Sequence, residues 1–358
     1  METKRPTVPA AEEILGGYFP VLDHGFVSLV DYMGTDADVE RAARVSYGYG
    51  TRKVSATRGL IRYLRRHHHT TPSEMVELKF HCAMPMFVAR QWIRHRTANV
   101  NEYSGRYSLM PLLFYRPEHD QFALQSRSNR QGREGGRASE RLYSEAVERW
   151  EDIRTRAADA YAWMLSEDVA RELSRIDLPL STYTQWYWKI DLHNLLHFLT
   201  LRVDPHAQWE IREYGRVMAG IVKRVAPLSY EAWVDYDLEG VRLSRGDRKA
   251  LAALLEVLDD EDPESVVPGG GEGDEGAGPH GGAAGAGGIR AREGAGMLTD
   301  DDLREMGLSG REIRELEDKL RPATEVSDFE LDLSAMRSAK EVGNEMYEAV
   351  PGADSPPE

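Results

Sequence analysis

From Asp259 onward the chain cannot build a core. The stretch DDEDPESVVPGGGEGDEGAGPHGGAAGAGG opens there, and residues 268–297 hold 13 glycines in 30. Glycine loses the most backbone freedom on folding, and an acidic run without aromatic residues buries almost nothing, so 259–298 reads as a flexible linker. A fold must therefore be sought in residues 1–258. Residues 299–358 read as an acidic tail with marginal short helices, in which Thr299 caps the first and Gly307 or Gly310 separates it from a second. Phe329, Leu331 and Leu333 alternate with acidic residues, which suits a docking segment or plain disorder. Disorder is the expectation, and deletion of 259–358 is then expected to leave assembly and activity intact.

Charge is segregated in the same way. Of the 60 acidic and 45 basic side chains, 259–358 hold 26 and 9, which leaves 34 and 36 in residues 1–258. A nearly neutral body with local arginine clusters suits a pocket for small anionic ligands, whereas a nucleic-acid binder carries a broad basic field. No run of about 18 apolar residues is present to span a bilayer. The start, METKRPTVPA, has no apolar export segment, so a cytoplasmic protein with no membrane partner is expected. A single cysteine, Cys82, excludes an internal disulfide and a CxxC metal site.

Periodicity within 1–258 points to a helix-dominated α+β domain around a small, largely antiparallel sheet. Residues 26–32 read as a strand, 36–47 as a helix capped by Asp36, and 56–67 as another helix. From Glu77 to Met84 the alternation is strict: Leu78, Phe80, Cys82 and Met84 share one face. Pro85 then suits a helix N1 position, with a helix over 86–95. Residues 118–138 read as an exposed loop. Leu142, Ala146, Trp150, Ile153, Ala157, Ala160 or Tyr161, and Met164 step by three or four along a helix at 139–165, as a single buried stripe requires. More helix is predicted at 183–203, and Asp204 with Pro205 opens a last one through Val225.

The densest chemistry lies at Arg94-His95-Arg96, followed within ten residues by Glu102, Ser104, Gly105 and Arg106. Gln91, Arg94 and His95 share a face if the helix continues, and the Asn- and Gly-containing turn brings Glu102, Ser104 and Arg106 from a loop. Guanidinium forks match phosphate oxygens and Gly105 admits a close approach to backbone N–H groups, so the cluster suits an anion better than a surface ion-pair patch. His67-His68-His69 points in divergent directions and suits no metal. Thr71-Pro72-Ser73-Glu74 has the form of a capping box. His193 and His197 form H-x-x-x-H, but Asn194 stands where a zinc protease needs glutamate. Metal ligands are accordingly expected to be none. A metal-dependent hydrolase built on the histidines, or an RNA-binding module built on Arg94, Arg96 and Arg106, remain the alternatives.

The chain resembles the flavin-dependent thymidylate synthases. The signature R-H-R, seven residues, S is met by Arg94-His95-Arg96 and Ser104, within QWIRHRTANVNEYSGRYS (91–108). RAARVSY (41–47), HTTPSE (69–74), LPLSTYTQWYWKIDLHNLLHFLTLR (178–202) and DPHAQWEI (204–211) extend the likeness over about 20–235. It implies conversion of dUMP to dTMP, with methylenetetrahydrofolate as carbon donor, FAD as redox cofactor and NADPH as reductant, in a homotetramer with active sites between subunits. The domain at 1–258 would be catalytic. FAD would be met by Thr71, Arg94, His95, Arg96, Glu102, Asp191, Leu192, His193 and His197. The nucleotide would be met by Gln91, Arg94, Glu102, Tyr103, Ser104, Gly105, Arg106, Arg175 and Arg202, with Arg202 the catalytic group that favours ionisation at N3. Reductive methylation by a flavin needs no thiol, which agrees with Cys82 on the apolar face of a strand.

Overall fold

The computed structural model describes residues 5–46, 57–126, 132–259, 299–320 and 327–351. In chain order these form α1 (Pro9–Glu12), β1 (Tyr18–Val21), β2 (Gly25–Met33), α2 (Asp36–Val45), α3 (Thr57–Arg66), α4 (Thr71–Glu74), β3 (Glu77–Pro85), α5 (Met86–Trp92) and β4 (Asn99–Glu102). Next come β5 (Ala123–Gln125), β6 (Arg133–Arg137), α6 (Glu140–Ser166), α7 (Arg171–Ser174), β7 (Tyr183–Asp191), α8 (Leu192–Arg202), α9 (Trp209–Val225) and α10 (Pro227–Trp233). Finally, α11 (Arg245–Asp259), α12 (Asp300–Glu305), α13 (Gly310–Leu320) and α14 (Ala339–Glu348) complete the chain. Two units emerge: Met1–Leu238 with Ser327–Glu358, and Glu239–Val326. The predicted linker, apart from Asp259, lies outside the described residues.

The first unit is α+β. Its sheet has the order β1-β2-β3-β7-β4, antiparallel throughout. One face of β3 buries Leu78, Phe80, Cys82 and Met84 against α8 and α9, where Leu195, Phe198, Ile211, Tyr214 and Met218 are fully covered. No helix among the described residues is long and apolar enough to cross a membrane.

Several elements differ from their sequence reading. Residues 183–191 form strand β7 rather than the start of a helix: Trp186, Trp188 and Ile190 are buried while Gln185, Tyr187 and Lys189 are not, a period of two set by pairing with β3. Asp36 does not cap α2. Thr35 does, with Asp38 completing the capping box. Asp36 is instead buried against α10, where its carboxylate accepts from the Leu228 and Ser229 amides at 2.8 and 2.9 Å. Burial raises its pKa despite these bonds. Pro85 ends β3 and occupies the cap position of α5, and α5 stops at Trp92 rather than running to His95. Helix α9 begins at Trp209, because the Asp204 carboxylate accepts from its neighbour His206 in a turn (2.7 Å to the amide). Residues 118–138 carry a 3-10 turn and the β5–β6 hairpin rather than a loop alone. The α6 stripe is not buried as expected: Tyr161 is, but Leu142 and Ile153 are 40% and 56% exposed.

The tail differs most. Residues 327–351 belong to the first unit and pack on its body. Phe329, Leu331 and Leu333 turn inward while Asp328, Glu330 and Asp332 face out. Leu331 fits over Gly220 of α9, where a Cβ would meet it at 2.9 Å. Lys223 holds Asp328 at 2.6 Å and also pairs with Glu330. Arg337 exchanges backbone hydrogen bonds with Tyr18 of β1 at 2.8 and 3.0 Å, and Val342 of α14 covers Phe26 and Ala83. An extended segment with alternating apolar residues had a complementary face to land on, which its composition alone does not reveal.

In the second unit, Thr299 caps α12 through a capping box with Asp302, as expected. Ala250, Leu303, Leu308, Ile313 and Leu316 make its small core, and Lys319 pairs with the buried Asp247 at 2.8 Å.

Candidate functional site

Trp92 ends α5 because its indole is wedged among Trp186, Trp188 and Phe198, with ring centroids 5.2–5.4 Å away. The chain then turns, and the His95 amide donates to the Trp92 carbonyl at 3.0 Å. Arg94, His95 and Arg96 consequently stand on the turn between α5 and β4, not on a helix face with Gln91. The His95 ring packs edge-on against Phe198 of α8, and its Nε2 accepts from Arg202 Nε at 3.1 Å. Burial, then the charge of Arg202 and the proximity of His197, lowers the His95 pKa to about 4. A neutral imidazole with Nε2 as acceptor follows at neutral pH. Arg94 and Arg96 are exposed, and their guanidinium groups have no hydrogen-bonded or ionic partner among the described residues.

Strand β7 feeds directly into α8. Asp191 caps that helix, accepting the Asn194 amide at 2.9 Å and its side-chain nitrogen at 2.7 Å. His193 lies in the first turn; its Nδ1 is buried without a hydrogen-bond partner, and burial followed by Arg65 lowers its pKa. His197, one turn on, is exposed, with its ring 6.3 Å from that of His95. Thr71 opens the short α4, which packs against α8; it is exposed and does not cap by side chain, Thr70 holding the cap position. Leu192 stands apart. Its side chain is fully buried and its amide donates to the Val76 carbonyl at 2.7 Å, so it belongs to the core.

A second cluster lies at the other end of β4. Glu102 is the last residue of that strand, not part of a loop, and accepts from Thr184 Oγ1 at 2.8 Å. Asn99 pairs with Lys189 and Glu102 with Trp186, so the strand carries the chain about 10 Å between the clusters. The Tyr103 amide donates to the Gln185 carbonyl at 2.8 Å, and its hydroxyl to the Leu109 carbonyl. Ser104 Oγ accepts the Arg106 amide at 3.3 Å. Gly105 is buried, and a Cβ there would meet Met110 Sδ at 2.6 Å and Arg175 Cδ at 3.0 Å. Any larger residue there would displace the Met110 and Arg175 side chains. Arg106 pairs with Glu172 at 3.0 Å, both more than half exposed, a contact worth little in water and readily exchanged. Gln91, on α5, donates to Gln208.

Gln208 and Glu210 belong to neither the arginine-rich turn nor the histidine pair that mark the site in the sequence. Glu210 is 2% exposed although charged, and the QWE run in the first turn of α9 was the only signal. Among the described residues no group of three or more His, Cys, Asp or Glu is placed to hold a metal ion.

Residues 28–228 match the family described as Thymidylate synthase complementing protein. Over 260 residues, 71% of this chain and 84% of the relative, the sequence is 55% identical to the flavin-dependent thymidylate synthase of Gluconobacter oxydans. The corresponding enzyme of Ehrlichia ruminantium is 52% identical over 262 residues, 73% of this chain and 86% of the relative. Among solved structures, a UMP/dUMP methylase, PolB from Streptomyces cacaoi bound with 5-Br dUMP, is 31% identical with a TM-score of 0.55. That match covers 61% of this chain and 98% of the other.

Proposed function

Because the chain belongs to the flavin-dependent thymidylate synthase family, we propose that its first unit methylates dUMP to dTMP reductively, with residues of both clusters in the site. The observation that carries this reading is the set of uncommitted cations flanking β4. Arg94 and Arg96 at one end and Arg175 at the other have no anionic partner among the described residues, and Arg106 has only an exposed one. Carboxylates are abundant in this chain, so guanidinium groups left without one suit an anionic ligand.

In this reading C5 of the pyrimidine loses a proton and gains a methyl group. Its carbon comes from methylenetetrahydrofolate and its hydride ultimately from NADPH. Bound FAD supplies the hydride-transfer chemistry that no side chain possesses. The residues present fit it: Arg94 and Arg96 for the diphosphate, with Thr71, Glu102, His95, Asp191, His193 and His197 around it. The buried, unpartnered Nδ1 of His193 is an available polar contact. Leu192 would act only through the core that positions α8. Tyr103, Ser104, Gly105, Arg106 and Arg175 cradle the nucleotide phosphate, with the Arg175 side chain lying against Gly105, which has no Cβ. Arg202, half-buried beside His95, stabilises negative charge on the uracil ring.

Assembly as a homotetramer belongs to the same reading. The two clusters are separated along β4, and Ile153, Trp163, Ile176 and Leu180 are 56–69% exposed, side chains that a subunit contact would cover. Soluble co-substrates are consistent with a cytoplasmic location.

No thiol chemistry is involved. Cys82 is fully buried on the core face of β3, and burial raises its pKa far above the usual thiol value. Cys82→Ala is expected to remain active and to lose about 1 kcal/mol of stability; a folded but inactive variant would restore the thiol as nucleophile.

Visible absorption of the purified protein with added FAD, followed by dUMP titration, tests the central reading. Flavin bands perturbed by dUMP are expected. Failure to take up flavin, with no response to dUMP, would overturn it. Light scattering on the same sample should report four copies, and a monomer with full turnover would remove the intersubunit site.

A further inference from the structure

A chain of polar contacts runs from the interior to Gln91. Glu210 is buried at the start of α9, and three donors converge on its carboxylate. The Tyr115 hydroxyl donates to Oε1 at 3.1 Å, the Arg133 guanidinium donates to the same oxygen, and Gln208 Nε2 donates to Oε2 at 2.8 Å. Gln208 Oε1 in turn accepts from Gln91 Nε2. Burial and then the Glu210 charge raise the Tyr115 pKa, so its hydroxyl stays protonated and donating.

Each link fixes the orientation of the next. A carboxylate only accepts, so Gln208 must present its NH2 group to Glu210 and its oxygen outward. That oxygen only accepts, so Gln91 must present its NH2 group to Gln208. The remaining oxygen of Gln91, which takes no hydrogen bond among the described residues, is then the atom left for a ligand. We infer that Glu210 is a positioning residue for nucleotide recognition: through Gln208 it holds Gln91 with its carbonyl oxygen toward the substrate, where it accepts a hydrogen bond from the nucleotide. The inference rests on the reading that Gln91 faces dUMP.

The relay has a direct test, because an isosteric change reverses its polarity. In Glu210→Gln the new amide keeps its oxygen toward Tyr115 and Arg133 and turns its NH2 group toward Gln208. Two donors would then meet, and the conflict is relieved by rotating the amides of Gln208 and Gln91, which points an NH2 group at the nucleotide. The holoenzyme variant should retain flavin and bind dUMP about tenfold more weakly. Gln208→Leu, which leaves the contacts of Glu210 with Tyr115 and Arg133 in place, should show a similar loss. In a Gln91→Leu background, Glu210→Gln should add no further loss, since the group it orients is gone.

Binding is read from the flavin absorbance change on dUMP titration. Normal dUMP affinity in Gln91→Leu alone would overturn the placement of Gln91 and the inference with it. A weakened Gln91→Leu combined with unchanged affinity in Glu210→Gln or Gln208→Leu would overturn the relay alone. So would full additivity of the Gln91 and Glu210 substitutions, which would assign Glu210 to anchoring the hairpin through Arg133.

Discussion

Arg202→Ala should fold, retain flavin and lose turnover by about 100- to 1,000-fold, the range seen when a single preorganised donor to a developing anion is removed. The guanidinium is half-buried at the end of α8, where desolvation lowers its pKa. A cation held there faces less screening from water than a surface arginine, so its effect on charge forming in the pyrimidine is correspondingly larger. The same substitution should raise the His95 pKa from about 4 toward the ordinary imidazole value, because Arg202 is the second cause of its depression after burial. NMR titration of His95 reads this without turnover. Arg202→Lys separates the two roles: it keeps the charge but not the Nε–H donated to His95. Near-normal turnover in Arg202→Ala would remove the electrostatic role, and an unmoved His95 would place that ring outside the field of Arg202.

Ending the chain at residue 320 should lower the melting temperature by roughly 10 °C. Phe329, Leu331, Leu333 and Val342 lose their packing on the first unit, which at partial burial amounts to about 4 kcal/mol. Their removal also uncovers apolar surface around Gly220 and Trp233. Loss of the surface pairs from Lys223 to Asp328 and Glu330 adds little by comparison. Leu331→Ala should account for part of the effect in the full-length protein. An unchanged melting temperature after truncation would return the segment to the status of a tail, as its acidity suggests. Calorimetry with flavin bound checks both variants.

Much of the candidate site was legible in the sequence because its chemistry is local. Arg94, His95, Arg96, Ser104, Gly105 and Arg106 lie within thirteen residues, and a glycine between a serine and an arginine marks a close backbone approach wherever the fold places it. Strand β3 was legible for a similar reason: its apolar and polar residues alternate from Glu77 to Cys82. By contrast, β7 was not. Its run of Tyr, Trp and Ile satisfies a helical stripe as well as a strand face, and pairing with β3, a hundred residues away, decides between them.

The sequence by itself determined that a structured body precedes a glycine-rich acidic stretch, that its single thiol lies on the apolar face of a strand, and where its arginines cluster. Those conclusions rest on composition and short spacings, which survive any arrangement of the elements. Tertiary structure alone decided that α5 ends at Trp92 and that residues 327–351 pack over α9. It also decided that Asp36 serves α10 rather than its own helix, and that Gln208 links Gln91 to a buried carboxylate. Each of these depends on a partner distant in the chain: the indoles of β7, the glycine gap in α9, the amides of Leu228 and Ser229, and the hydroxyl of Tyr115. Local propensity is worth tenths of a kcal/mol per residue, while burying an aromatic ring or leaving a buried carboxylate unpaired is worth several times more, so the long-range contact prevails where the two disagree.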